Sequence, residues 1–306
     1  MTDKLITLTS QLDQSVNFIT PAKGVGFFEA RHVRRDPAPG QLVDYVIFYL
    51  SSQSGCSQAC RFCHLTATGQ NKFVNAEYQD FMDQADTFFA FYDSHKPAQL
   101  VHFNFMARGE ALCNPLIIGD SAKLLNGLKA YTDQRGLDSK FLISTIMPTE
   151  MGNAKLTDIF PEVHPEIYYS LYSMNPKFRK RWLPRAHTAE HGLDLLKEWQ
   201  DSTGKVPKIH FAFIEDQNDS EEDMLEIAQA INERELKVNL NIVRYNPHSE
   251  RHGREPQECV IQRNTDLLAG LIKAESVRIV PKVGFDVAAS CGMFVDKDLF
   301  VVGVGA

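Results

Sequence analysis

The stretch VDYVIFYLSSQSGCSQACRFC, residues 43–63, decides how this chain is read. Its first eight residues, Val43 to Leu50, are mostly apolar and rich in β-branched and aromatic side chains, the composition of a buried strand. A polar turn, Ser51-Ser52-Gln53-Ser54-Gly55, follows, and then Cys56, Cys60 and Cys63 in the spacing CxxxCxxC. In parallel α/β folds, chemistry gathers at the carboxyl ends of strands, so a cysteine cluster directly after a strand is well placed for it.

Outward from this stretch, apolar runs alternate with amphipathic ones. Further strands are expected at Leu100–Met106, Lys140–Thr145, Glu166–Tyr172, Lys208–Ile214 and Lys237–Val243, most of them apolar nearly throughout, as parallel strands covered on both faces are. Between them the pattern predicts helices at Ala76–Tyr92, Ser121–Arg135, Ala189–Gln200 and Ser220–Arg234. The run Asp219-Ser220-Glu221-Glu222-Asp223 puts a cap residue and acids at a helix start, where the helix dipole favours them. Six βα units in series imply an α/β fold with a parallel sheet, a partial (β/α)6 barrel short of the eight units of a closed one. Residues 1–42, with Pro21, Pro37 and Pro39, read as an N-terminal extension or small β-element. Residues 43–245 form the core. Residues 246–306 read as a C-terminal extension with one helix near 264–274 and a short strand near 277–281.

Composition narrows the function. The 306 residues carry 32 basic and 39 acidic side chains, a net charge of −7, which argues against non-specific coating of nucleic acid. Two local basic clusters remain: Arg31, His32, Arg34 and Arg35, and Lys177, Arg179, Lys180, Arg181 and Arg185. No apolar run reaches the roughly 18 to 20 residues of a membrane span. The first residues lack the basic-then-apolar pattern of a signal peptide, so a cytoplasmic location is expected. Six cysteines, three of them within eight residues, suit metal or redox chemistry better than a disulfide framework.

Three thiolates can ligate three irons of a cubane cluster and leave the fourth iron open. Zinc is the alternative, with His64 or a distant cysteine as fourth ligand, although no second CxxC-like pair is present. Coincidentally buried cysteines are the other alternative.

The CxxxCxFC pattern resembles the signature of radical S-adenosylmethionine (SAM) enzymes. The resemblance implies a [4Fe-4S] cluster held by Cys56, Cys60 and Cys63, SAM on its open iron, and an external electron donor such as flavodoxin or ferredoxin. Further segments resemble the RlmN/Cfr group, which methylates adenosine in ribosomal and transfer RNA. Ser51-Ser52-Gln53-Ser54-Gly55-Cys56 resembles that group's SSQxGC, and Phe105-Met106-Ala107-Arg108-Gly109-Glu110-Ala111-Leu112 its FMGMGEPL. The second match implies that Gly109 and Glu110 meet the SAM amino group. A Gly-Glu pair after a strand also gives close backbone approach and an acceptor for an ammonium. Ser144, Ser170 with Tyr172, and Asn246 fall in segments that resemble the group's STS, SLH and NP elements around the SAM ribose, carboxylate and base. Tyr172 stands where the group usually has His. Asn218-Asp219 matches an Asn-Asp pair that opens a helix and is read as capping. Ala288-Ala289-Ser290-Cys291-Gly292 resembles AACGQ, whose cysteine carries a methyl group that is transferred to the adenine ring. Cys291 is thus the implied methyl carrier.

The resemblance spans roughly residues 27–295, with departures. The group resolves its protein–RNA crosslink with a second cysteine, and here that place, seven residues before Cys56, holds Tyr49. Cys113 is a candidate substitute, or else a packed core cysteine. Glu29 aligns loosely with a glutamate near the substrate adenine. The group's N-terminal helical RNA-binding domain has no counterpart in residues 1–42. The expectation is therefore a radical SAM methyltransferase acting on an sp2 carbon of adenine in RNA through methylated Cys291. Alternatives are a different radical outcome, another substrate such as transfer RNA, DNA or a small adenine-containing molecule, and a non-catalytic metal-stabilised RNA-binding protein.

Overall fold

The computed structural model describes residues 5–34 and 43–298. Ten strands form one sheet in simple chain order. Strands β1 (Ile6–Thr9), β2 (Val16–Pro21) and β3 (Phe27–Val33) make an antiparallel meander, and β3 pairs antiparallel with β4 (Tyr45–Tyr49). From β4 onward every pairing is parallel, through β5 (Leu100–Phe105), β6 (Asp138–Thr145), β7 (Glu166–Tyr169), β8 (Lys208–Phe211), β9 (Asn239–Val243) and β10 (Val277–Val280).

Helices supply the crossovers that parallel pairing requires. They are α1 (His64–Ala67), α2 (Tyr78–Tyr92), α3 (Pro115–Asp133), α4 (Leu156–Ile159), α5 (Pro176–Trp182), α6 (Ala189–Thr203), α7 (Glu221–Asn232) and α8 (Glu258–Ile272). Helix α3 starts six residues before the expected Ser121, because Asn114 caps Leu116 and Ile117 and Pro115 suits the first turn; the price of that early start is a kink at Asp120. Helix α7 is capped by Ser220, whose Oγ accepts from Asp223 N. Asn218, expected to cap, instead donates to the carbonyls of Tyr172 and Ala212 and accepts from Ile214 N, tying the ends of two neighbouring βα units together.

The two faces of the parallel strands differ, which corrects the expectation of apolar strands throughout. Alternate residues such as Val46, Phe48, Val101, Phe103, Ile143, Ile167, Ile209 and Ile242 are buried in the layer between sheet and helices. Phe48 stacks on Phe88 of α2 at 4.2 Å. The other alternation is largely polar: Tyr45, His102, Asn104, Lys140, Tyr168, Lys208, His210, Asn241 and Arg278 line one interior lumen. Every strand from β4 to β10 contributes to that lining, so the sheet curves round it as a partial barrel. A closed apolar core would need neither Lys140 nor Lys208. Here both reach Glu166, at 2.5 and 3.2 Å.

The meander β1–β3 continues the sheet beyond β4. Of the basic cluster near it, Arg31 and His32 are buried, Arg34 bonds Asp44 and the carbonyls of Lys96 and Pro97, and Arg35 lies outside the described residues. The two arginines have internal partners and burial keeps His32 neutral, so no exposed basic face is built from Arg31, His32 and Arg34.

Candidate active site

The loop after β4 turns back because its backbone bonds to the loop after β5: Ser52 N and Gln53 N both donate to Arg108 O. Ser51 Oγ donates to Glu29 O and accepts from Arg108 N, joining β3 to the same point. Beyond Gly55, Cys56 N donates to Gln70 O, and Cys63 N to Cys60 O, so the three cysteines ride on a tight coil that ends in α1. Cys60 is buried; Cys56 and Cys63 are partly so.

All three cysteines line one cavity at the carboxyl ends of the strands. Gly109, Glu110, Ser144, Ser170, Tyr172, Asn246 and Cys291 line it too. The fold therefore brings together in one place residues from every segment singled out for cofactor binding. Burial pushes the Cys56 thiol up to about 12, and the neighbouring Cys63 adds to it; burial raises Cys60 and Cys63 as well. Three thiols that resist ionisation alone are a donor set that wants cations. His64, the fourth ligand a zinc site would need, turns its Nε2 to Asn246 O at 3.1 Å. Among the described residues, no three His, Cys, Asp or Glu side chains converge as a single ion demands. A cubane asks less, since each thiolate takes its own iron. The residues present fit such a cluster.

Gly109 has φ +99°, and a Cβ there would lie 2.6 Å from Ser52 Oγ and 2.8 Å from Gln53 N. Only glycine lets the two loops meet so closely. Glu110 follows it, fully buried, its Oε1 accepting from Leu112 N and its Oε2 from Ile146 N, both at 3.2 Å. Burial raises its carboxyl to about 7 despite these bonds. Its carboxyl group thus stands at the cavity wall and keeps its proton up to near neutral pH. Two buried acceptors at the cavity, Asn246 Oδ1 and Gln58 Oε1, have no protein partner, an arrangement that suits a polar ligand.

The strand expected to reach Tyr172 stops at Tyr169, and Tyr172, with φ +62°, stacks on Phe62 of the cysteine loop at 4.4 Å, 13° from parallel. An aromatic pair thus occupies the place of the usual His. Asn246 Nδ2 donates to Cys291 O at 2.9 Å and to Ser290 Oγ at 3.1 Å. Residues that sequence reading passed over also line the cavity, among them His210, Arg244 and Phe294. His210 is held neutral by burial, near 4, and its Nδ1 accepts from Asn241 Nδ2. Its inward place on β8, in register with Asn241 of β9, is the signal that could have found it.

The remaining candidates lie elsewhere. Glu29 is fully buried and does not line the cavity among the described residues; Oε1 accepts from Arg108 and Val295 N, and Oε2 from Arg31 and Asn17. Burial would raise its carboxyl, yet the two guanidinium groups outweigh that and hold it low. Cys113 sits behind the cysteine loop, its Sγ 3.3 Å from Gln58 Nε2, and burial raises its thiol. Tyr49, by contrast, lines the lumen and a small side cavity that Cys291 also lines. Of the second basic cluster, Arg179 is buried and bonds the carbonyls of Leu171 and His187, while Lys177, Lys180, Arg181 and Arg185 are exposed.

Comparison with known proteins gives four findings. No family model matches the chain. It is 24% identical over 303 residues to the ribosomal RNA large subunit methyltransferase Cfr of Clostridium botulinum, covering 94% of this chain and 83% of the relative. It is 29% identical over 248 residues to the probable dual-specificity RNA methyltransferase RlmN of Prochlorococcus marinus, covering 79% of this chain and 65% of the relative. Its fold matches a crystal structure of a radical SAM methyltransferase from Sphaerobacter thermophilus, with a TM-score of 0.76 at 16% identity, over 95% of this chain and 80% of that one.

Proposed function

We propose, from the premise that the chain is a radical SAM enzyme related to the Cfr and RlmN methyltransferases, that it methylates an sp2 carbon of adenine in RNA through Cys291. The observation that carries this is the meeting of Cys291 with Cys56, Cys60 and Cys63 in one cavity, although more than 200 residues separate them in sequence.

A radical SAM enzyme takes a [4Fe-4S] cluster and SAM. When bound, the cluster supplies the electron that splits SAM into methionine and a 5′-deoxyadenosyl radical. On this reading Cys56, Cys60 and Cys63 hold the cluster. Glu110 accepts the SAM ammonium while Gly109 leaves room for it, Ser144 meets the ribose, Ser170 and Tyr172 the carboxylate, and Asn246 the base. Asn246 supports the last role with an unengaged Oδ1 at the cavity. Cys291 accepts a methyl group as its S–H bond is replaced by S–CH3; one proton leaves and S-adenosylhomocysteine is the by-product. The reading also calls for an external donor of the flavodoxin or ferredoxin kind and for a cytoplasmic setting. Among the described residues no helix is long and apolar enough to cross a membrane.

The test is anaerobic reconstitution with iron, sulfide, reductant and SAM. The parent protein should form 5′-deoxyadenosine and gain one methyl group mapped to Cys291 by peptide mass, and Cys56→Ala should form none of the nucleoside. Nucleoside formation by Cys56→Ala at the parent rate would sink the reading.

Tyr49 beside the Cys291 cavity, where a thiol is expected, favours one second reading: radical SAM chemistry that does not end in methyl transfer from Cys291. Product analysis with SAM deuterated in the methyl group separates the two, because only the first delivers label to adenine.

A further inference from the structure

The segment that carries Cys291 has no ladder of its own. After β10 the chain runs through turns, with Ala288 at φ +53° and Gly292 at φ +75°. Much of its anchoring comes from the opposite end of the sequence. Gly284 N donates to Asp13 Oδ2 at 2.7 Å, and Asp286 accepts from Ser10 Oγ and Gln11 N, each at 2.7 Å. Nearer the cysteine, Asn17 Nδ2 donates to Val287 O at 3.0 Å and Arg31 to Met293 O at 2.8 Å. Val295 N donates to Glu29 Oε1 at 3.2 Å, and Gln70 Nε2 to Val295 O at 3.0 Å. These bonds bracket Cys291 within four residues on either side.

The side chains that make them are themselves immobilised. Glu29 accepts from Asn17 at 2.9 Å, Arg31 at 2.7 Å and Arg108 at 2.8 Å, and all four are buried. Phe294, from the same segment, lies 4.9 Å from the Arg31 guanidinium. Three donors, from β2, β3 and the loop after β5, converge on one buried carboxylate, which favours one geometry, although Asn17 Oδ1 and Arg31 Nε have no partner among the described residues. Arg108 directly precedes Gly109, so the network also reaches the turn that faces the cofactor cavity.

We infer that the meander β1–β3 is the seat of the Cys291 loop, and that Asn17, Glu29 and Arg31 are positioning residues that aim the carrier sulfur into the cavity. This rests on the reading of Cys291 as methyl carrier. It gives residues 5–34 a task other than contact with substrate, and it places Glu29 in support of the acceptor.

Two variants test it, Arg31→Met and Asn17→Ala, each read in two ways. In the cofactor-free protein, labelling of each cysteine by iodoacetamide is followed by peptide mass, with exposed Cys259 as internal reference. Cys291 should label about tenfold faster in each variant, the opening expected when one charge-assisted or buried bond is lost, while Cys259 keeps its rate. In the reconstituted holoenzyme, methyl groups on Cys291 per 5′-deoxyadenosine formed should fall by about the same factor. Unchanged labelling of Cys291, or equal acceleration at Cys113 and Cys259, overturns the inference. If Arg31→Met loses its near-ultraviolet circular dichroism, Asn17→Ala, which removes only a neutral amide, decides. Should the parent Cys291 never be methylated, the carrier reading fails, and the labelling arm still decides whether the meander holds the loop.

Discussion

At the scale of single residues the site is governed by burial. Glu110 has a folded pKa near 7 against an ordinary 4.5. Between those values the folded protein keeps a proton that the unfolded chain has released, so its stability falls as pH rises through that window. The loss amounts to roughly 3 kcal/mol. Glu110→Gln cannot ionise, so urea melts of the cofactor-free protein should show the variant gaining on the parent by about that amount between pH 4 and 7.5. A pH-independent difference would mean that Glu110 is not buried as described. Gly109 makes the complementary point. Its Cβ space is taken by Ser52 and Gln53, and its φ is left-handed. Gly109→Ala should therefore cost about 2 kcal/mol or more, seen as a lower urea midpoint, and should abolish 5′-deoxyadenosine formation in the reconstituted protein.

At the scale of elements, much was legible because the signals are local. The strand β4 and the cysteine loop occupy one continuous stretch, and the cap Ser220 sits three residues before its partner Asp223. Ser220→Ala should lower unfolding free energy by about 1 kcal/mol in denaturant melts without changing SAM cleavage, since α7 lies outside the cavity lining. The resemblance alone joined Cys291 to the cluster cysteines; what the residues themselves did not disclose was a feature whose partners are far apart along the chain. Glu29 meets Arg108 and Val295 across 79 and 266 residues, and no periodicity encodes that. Its loose alignment with a substrate-side glutamate gave no sign that two arginines enclose it. The polar lumen was missed for a different reason. Lys140 and Lys208 open their expected strands and Asn241 lies inside its own, but a single strand does not say which of its faces will turn to a shared interior until its neighbours set it in register. Tyr172 was flagged as a departure, but its partner Phe62 became visible only when the cysteine loop folded over it.

At the scale of the whole molecule, charge and shape set how a partner approaches. The chain carries a net charge of −7, and the clearest exposed basic cluster among the described residues is Lys177, Lys180, Arg181 and Arg185 around the end of α5. If those four side chains meet phosphates, the affinity for single-stranded RNA should fall with salt at a log–log slope of about −3. Fluorescence anisotropy between 50 and 200 mM salt measures this. Replacing all four by Ala should flatten the slope, and an unchanged slope would place the RNA contacts elsewhere.

The lumen adds a last consequence. Cys291 stands where two spaces meet, with the cofactor cavity on one side and, on the other, a hydrophilic interior that runs down past Asn104 and His102 to Lys208 and Arg278. Cys291 thus has polar neighbours on the lumen side that are no part of the cofactor cavity, so a substitution at Asn104 or His102 changes the surroundings of Cys291 without touching a cavity-lining residue.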